Sequence, residues 1–305
     1  MSTSPLNDRQ LFLSTLTASP GERRLAATVL GLSLLFFVVL LPFAKQQLVA
    51  INAFIPAYES SLVVLDLITV ALLGGQYFTF HSRALLVLAS GYLFTALITV
   101  THALTFPGLY APTGLLGAGP QTTAWLYMFW HGTFPLFVMA YTRTKVSSDS
   151  DRGLSNRQAL VQLARSAALV GMLVFACTVL STLGQSWLPS IMNGNQYTAA
   201  MIVVVGTVWG LSALALCMLW WRKPHSVLDL WLMVVMCAWM IDIALSAVFN
   251  QGRFDVGFYA GRIYGLLASG FVLARLLLGG LKQRWPQLAA VRSGHLYAVP
   301  PDWLH

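Results

Sequence analysis

Charge is what this sequence has least of. Only 9 % of its 305 residues are Asp, Glu, Lys or Arg, against about 25 % in an ordinary soluble domain. With 57 % hydrophobic residues and a mean hydropathy of +0.70, it cannot cover a water-facing surface. A soluble globule is excluded, and a membrane protein is what remains. Cysteine is nearly as scarce. Cys177, Cys217 and Cys237 all fall inside apolar runs, so no aqueous pair exists for a disulfide or a dithiol couple. They read as small buried apolar side chains. Missing as well are HExxH, GxSxG, CxxC and a Gly-rich phosphate loop, which leaves no catalytic signature of the common kinds.

What is present is long apolar runs. Eight can be marked, at 25–43, 60–80, 84–104, 122–142, 163–183, 198–221, 226–247 and 258–278, each near the 20 or so residues that a hydrocarbon core requires. The first follows a polar or mixed lead and lacks a small-residue cleavage site, so it reads as a retained helix and not a signal peptide. Basic residues set the orientation. With both termini cytoplasmic, Arg9, Arg23, Arg24, Arg83, Arg143, Lys145, Arg152, Arg157, Arg165, Arg222, Lys223, Lys282, Arg284 and Arg292 all lie inside. The outer connections hold only Lys45 and Arg253. The expected fold is an all-α, polytopic helix bundle of about eight transmembrane helices. The net charge of +8 then faces anionic lipid headgroups, and nucleic acid is not an expected partner.

The outer connections 44–59, 105–121, 184–197 and 248–257 are aromatic, rich in Gly and Pro and almost uncharged. They are expected to pack on one another as a lid, with 103–121 roofing a pocket. Trp125, Trp130 and Trp187 suit either an interfacial belt or a pocket wall. Ionisable residues at membrane depth ask for a reason, because they are costly unless paired. Counting along the runs puts Asp66, His102, His131, Asp242 and Arg262 in one outer layer contributed by five helices, with Asp255 just before it. Asp66 and Asp242 could compensate Arg262, and the histidines could bind each other, a ligand or a carboxylate. Each also has a plainer reading as a structural cap, pair or loop contact. The candidate ligand-binding set is Asp66, His102, Trp130, His131, Asp242, Asp255 and Arg262. A haem or metal held through His102 and His131 is a minor alternative. Asp229 and Arg83, near the inner surface, read as headgroup or loop contacts.

The run HALTFPGLYAPTGLLGAGPQTTAWLYMFWHGTFPLF (102–137) closely resembles the signature region of MASE4, a bacterial membrane-associated sensor domain. DLITVALLGGQYF (66–78), SVLDLWLMVVMCAWMIDIAL (226–245) and RFDVGFYAGRIYGLLAS (253–269) extend the likeness over about residues 20–280. The resemblance implies a sensory module of a bacterial inner membrane that usually precedes a GGDEF diguanylate cyclase, and hence a link to cyclic di-GMP signalling. No GGDEF or GGEEF string occurs here. The tail KQRWPQLAAVRSGHLYAVPPDWLH (282–305) resembles instead the end of a periplasmic binding protein of the B12 or siderophore type. The expected organisation is a cytoplasmic segment 1–24, a membrane sensor domain 25–280 and a short tail 281–305 without an output domain. Expected partners are lipids, an unidentified small molecule from the outer side, a cytoplasmic signalling protein and a second copy of the chain. The competing reading is a transporter or permease, although no internal repeat is visible.

Overall fold

A computed structural model describes residues 16–51, 53–145, 154–194 and 196–292, with side chains through 279. Eight α-helices are present: α1 (Pro20–Leu40), α2 (Phe54–Phe80), α3 (Arg83–Thr105), α4 (Thr122–Thr144), α5 (Asn156–Thr182), α6 (Ala199–Trp221), α7 (Val227–Ile243) and α8 (Val256–Arg292). A two-residue antiparallel ladder, β1 (Met192–Asn193) with β2 (Gln196–Tyr197), sits in the connection before α6.

Local chemistry starts the helices where the sequence allows. Ser19 caps α1 by accepting from the Glu22 amide, and Pro20 occupies its first position. Proline is favourable there because that amide has no helical acceptor. The Pro20-Gly21 pair therefore opens α1. Ser155 with Gln158, and Ser226 with Asp229, form reciprocal capping boxes at α5 and α7. Residues 1–15 of the expected cytoplasmic segment 1–24 lie outside the described residues, but residues 16–18 are tied down. Ala18 N donates to His225 O and Val227 N to Leu16 O.

Seven of the eight helices are long and apolar enough to cross a membrane. The eighth, α4, has 23 residues, enough for about 35 Å at 1.5 Å per residue. Its lower apolarity comes from Thr, Tyr, Trp, His131 and Pro135. Those residues are largely buried, because α4 packs among α3, α5, α6 and α7. The outermost helices show the complement. Leu32, Leu35 and Val38 on α1, Leu169, Met172 and Phe175 on α5, and Ile202 and Val203 on α6 are exposed, as lipid-facing side chains must be. The bundle thus has α3, α4 and α7 at its centre. At 37 residues, α8 spans about 55 Å, well beyond a hydrocarbon core of about 30 Å. Its last turns extend past the inner face, and they include part of the tail likened to a binding protein. Residues 293–305 lie outside the described residues.

Two glycines let α8 approach the centre. A Cβ on Gly261 would come within 1.9 Å of Ser246 Oγ and 2.8 Å of Asp242 Oδ1; one on Gly265 would meet Tyr58 Oη at 2.7 Å and Asp242 Oδ2 at 2.9 Å. This four-residue spacing of small residues is a familiar means of close helix contact in membranes. We expect Gly261→Ala to push α8 off α7 and cost about 1–3 kcal/mol. The check is the thermal unfolding midpoint in detergent. Gly270→Ala, with open space around it, should leave the midpoint unchanged.

Candidate functional site

The outer ends of the helices hold a continuous buried polar cluster centred on Asp242, which has no exposed surface. Its Oδ1 accepts from Ser246 Oγ at 2.9 Å and from Tyr127 Oη at 3.2 Å, and its Oδ2 lies 3.1 Å from His131 Nε2. His131 Nδ1 lies 2.9 Å from the Tyr127 carbonyl. A carbonyl has no hydrogen to give, so Nδ1 carries one. The Nε2–Oδ2 contact is attractive only with a further proton between the two groups. His131 also stacks on the Tyr127 ring at 3.8 Å and lies 4.6 Å from Trp239, whose Nε1 donates to the His131 carbonyl. Just beyond Asp242, residues Ala244–Val248 form a π-helical turn, a distortion often found at functional sites.

A second pair lies beside the first. His102 Nδ1 is 2.6 Å from Glu59 Oε1, both side chains being buried. Trp130 fills the space between the two pairs, its ring 6.2 Å from His102 and 4.8 Å from His131. Glu59 was not a sequence candidate, because the apolar run was drawn from residue 60. Helix α2 begins at Phe54, which puts Glu59 inside it. The same offset displaces Asp66. It lies about 10 Å below Glu59, seven residues on at 1.5 Å each, and not in the outer layer. There its Oδ2 meets Thr95 Oγ1 at 2.6 Å. Thr95 also lies 2.8 Å from the Tyr92 carbonyl and has only one hydroxyl hydrogen. Both contacts are satisfied together when Asp66 holds a proton and donates it to Thr95.

Three further expectations are corrected by the geometry. Arg262 has no direct carboxylate partner among the described residues; its Nη1 donates to Phe258 O at 3.1 Å and to Ser246 Oγ at 3.4 Å. Ser246 stands between it and Asp242. Asp255 does not face the cluster. It caps α8, accepting from the Phe258, Gln251 and Gly252 amides, so its oxygens are spent on backbone. Nor do the histidines fit an axial haem pair. Both ring nitrogens of His131 are engaged, which leaves no lone pair for iron. Among the described residues no group of three His, Cys, Asp or Glu could hold a metal ion.

A cavity of about 40 Å³ opens beside the cluster, lined in part by His102, Phe106, Tyr127, Tyr197, Arg253 and Arg262. Its cover is composite. From 106–121 only Phe106 is buried, while Tyr110, Leu115 and Leu116 are exposed; Met192, Tyr197 and Arg253 come from the next two connections. The four outer connections are stitched together. Leu48 N donates to Phe254 O and Val256 N to Gln46 O. The side chain of Gln121 joins Ile191 and Met192, and Gln196 pairs with Gly252. Trp125 Nε1 donates to Pro189 O, a packing role, whereas Trp187 is 83 % exposed and suits the interfacial belt.

At the inner end Asp229 accepts from Tyr141 Oη at 2.8 Å and from Lys145 Nζ at 2.6 Å, within its own capping box. Burial pushes the Lys145 ammonium below its ordinary value, with Asp229 opposing the shift. Glu22 on α1 pairs with Arg275 on α8 and also accepts from Trp231 Nε1. This inner cluster was largely invisible in the sequence, since Glu22 and Arg275 are far apart in the chain.

These features define a multi-pass membrane protein whose buried polar centre lies at the end of the bundle away from its basic connections. The chain matches, over residues 49–281, the family described as membrane-associated sensor, integral membrane domain, MASE4, and it belongs to that family. The match gives no counterpart to the binding-protein likeness of the tail. Comparison with curated proteins and with solved structures found no match.

The pairings carry a stability prediction. His131→Ala leaves Asp242 buried without its Nε2 partner and should cost about 3–5 kcal/mol. Asp66→Asn supplies the donor that Thr95 requires and should cost less than about 1 kcal/mol. Thermal unfolding of the purified variants compares them; equal losses would contradict the two protonation assignments.

Proposed function

We propose that this domain is a sensory module, without catalysis of its own, that receives a small molecule at the outer cavity. The observation that carries this reading is the position of Asp242. One buried carboxylate joins α4 to α7 through Tyr127 and His131, packs against the α8 backbone at Gly261 and Gly265, and adjoins the cavity through Ser246. A ligand there changes the partners available to Ser246, Arg262 and Tyr127. It therefore favours one packing of α4, α7 and α8 over another, which is all that a ligand-driven switch requires. The change reaches the inner side along α8, whose length carries it past the membrane, and the Glu22–Arg275 pair couples that helix to α1.

Family membership supports the sensor reading, and it favours a cyclic di-GMP pathway with the signal passed to a cytoplasmic partner or to a second copy of the chain. Transport finds less support. Among the described residues the buried carboxylates fall into an outer set (Glu59, Asp242 and Asp255), Asp66 alone, and Asp229 at the inner end, with the fully buried Leu62 and Leu73 of α2 on either side of Asp66.

The test needs no knowledge of the ligand. Residues 1–281 are fused to a diguanylate cyclase domain and cyclic di-GMP is measured at matched membrane levels. Asp242→Asn keeps the side chain's shape and removes its charge, so it should shift output at least about threefold, the effect of under 1 kcal/mol in a two-state balance. Trp187→Ala, on the exposed belt, should not. Equal output from all three chains would overturn the reading.

A further inference from the structure

Arg253 and Arg262 line the same cavity, and among the described residues neither pairs with a carboxylate. The carboxylates of this region are already committed. Asp242 serves His131, Tyr127 and Ser246; Glu59 serves His102; Asp255 serves backbone amides. Two guanidinium charges, that of buried Arg262 and that of half-buried Arg253, are left around a small, partly open space.

Each guanidinium is held so that its edge stays available. Arg262 lies 3.6 Å from the Phe258 ring centroid and 5.5 Å from that of Tyr127. Arg253 lies 5.2 Å from the Phe106 centroid, and its Nη2 donates to Thr123 Oγ1 at 3.1 Å. An arginine has five N–H donors in one plane, and these contacts use only a few of them. Thr123 accepts that bond, so its own hydroxyl hydrogen has no acceptor among the described bonds. Burial pushes the Arg253 guanidinium below its ordinary value, Tyr197 opposes the shift, and the charge of Arg262 adds to it; the two cations repel each other. Isolated buried charge is costly, and an anion between the two would remove that cost.

We infer that this cavity binds a small planar oxyanion, a short carboxylate or an inorganic ion of nitrate size, gripped between Arg253 and Arg262. Guanidinium groups favour such ions because two parallel N–H bonds match two oxygens. The volume sets the size. A water needs about 10–15 Å³ on this measure, so a cavity of about 40 Å³ takes a few non-hydrogen atoms. The rest of the wall mixes apolar Met192, Met201 and Ala247 with the hydroxyls of Tyr127, Tyr197 and Ser246. The inference rests on the sensor reading for its biological meaning, though not for its chemistry.

Equilibrium binding of radiolabelled acetate to the full chain in nanodiscs of zwitterionic lipid, at fixed ionic strength, tests it. Saturable binding is expected, displaced by formate and nitrate but not by gluconate, which is too large, or by methylammonium, which has the wrong sign. Displacement by nitrate alone would assign the site to inorganic ions; displacement by formate alone would assign it to carboxylates. Arg253→Gln and Arg262→Gln should each weaken binding about tenfold or more, while Lys45→Gln should not change it. Arg262→Lys keeps the charge without the fork and should bind acetate less well than the parent, which holds even if Arg262→Gln does not fold. No saturable binding, binding unaffected by Arg253→Gln, or equal displacement by gluconate would overturn the inference. In the cyclase fusion, acetate binding with no change in output would contradict the sensor reading alone. Absent acetate binding with output still responsive to Asp242→Asn would contradict the anion site alone.

Discussion

A carboxylate buried in the outer half of a membrane protein must be surrounded by donors, because neither lipid nor apolar side chains can solvate it. Asp242 imposes that requirement on this bundle. Tyr127 and His131 come from α4 to meet it, Ser246 comes from the π-helical turn of α7, and α8 presents two glycines so that its backbone can pass close by. The crossing of three helices is thereby fixed at one point. Any other packing has to provide an equivalent set of donors or take a proton onto the carboxylate. Such a centre is rigid while its partners are in place and responsive when one of them is drawn away.

The cavity is placed to draw one away. Ser246 bonds to Asp242 on one side and to Arg262 on the other, and it lines the cavity as well. The outer connections partly cover the space and are joined by backbone pairing between neighbouring segments, so the roof is a small folded layer and not a set of loose loops. Far below, the Glu22–Arg275 pair and the Asp229–Lys145 pair secure the inner ends. Outer and inner clusters share α7 and α8, and those helices are the material link between input and output.

The bundle was legible in the sequence because hydrocarbon selects long apolar runs, and basic residues mark the inner face. Even α4, less apolar than the rest, was found as one of the eight runs. The site was legible only in part. His131 and Asp242 stood out because charge at that depth needs an explanation, and they pair. Glu59 was missed, and Asp66 was set too high, for a single reason. An apolar run does not mark where a helix starts, and α2 begins at Phe54, placing Asp66 about 18 Å along it. Tyr127, Ser246 and Thr123 carried no signal, since hydroxyl residues occur throughout the chain. Arg253 read as a stray outer charge because nothing local shows that its loop folds back over α4. The expected Arg262–aspartate pair failed because Ser246 fills the gap between them.

The central claim is that His131 and Asp242 form one hydrogen-bonded unit at the heart of the domain. Nitrogen NMR of histidine-labelled protein in bilayers tests it directly, since the chain has only 6 histidines. The account predicts one imidazole whose Nδ1 carries a proton and whose Nε2 signal shows a hydrogen bond to a carboxylate. On Asp242→Asn that Nε2 signal should move while the Nδ1 proton is retained. A spectrum in which no histidine responds to Asp242→Asn would contradict the account.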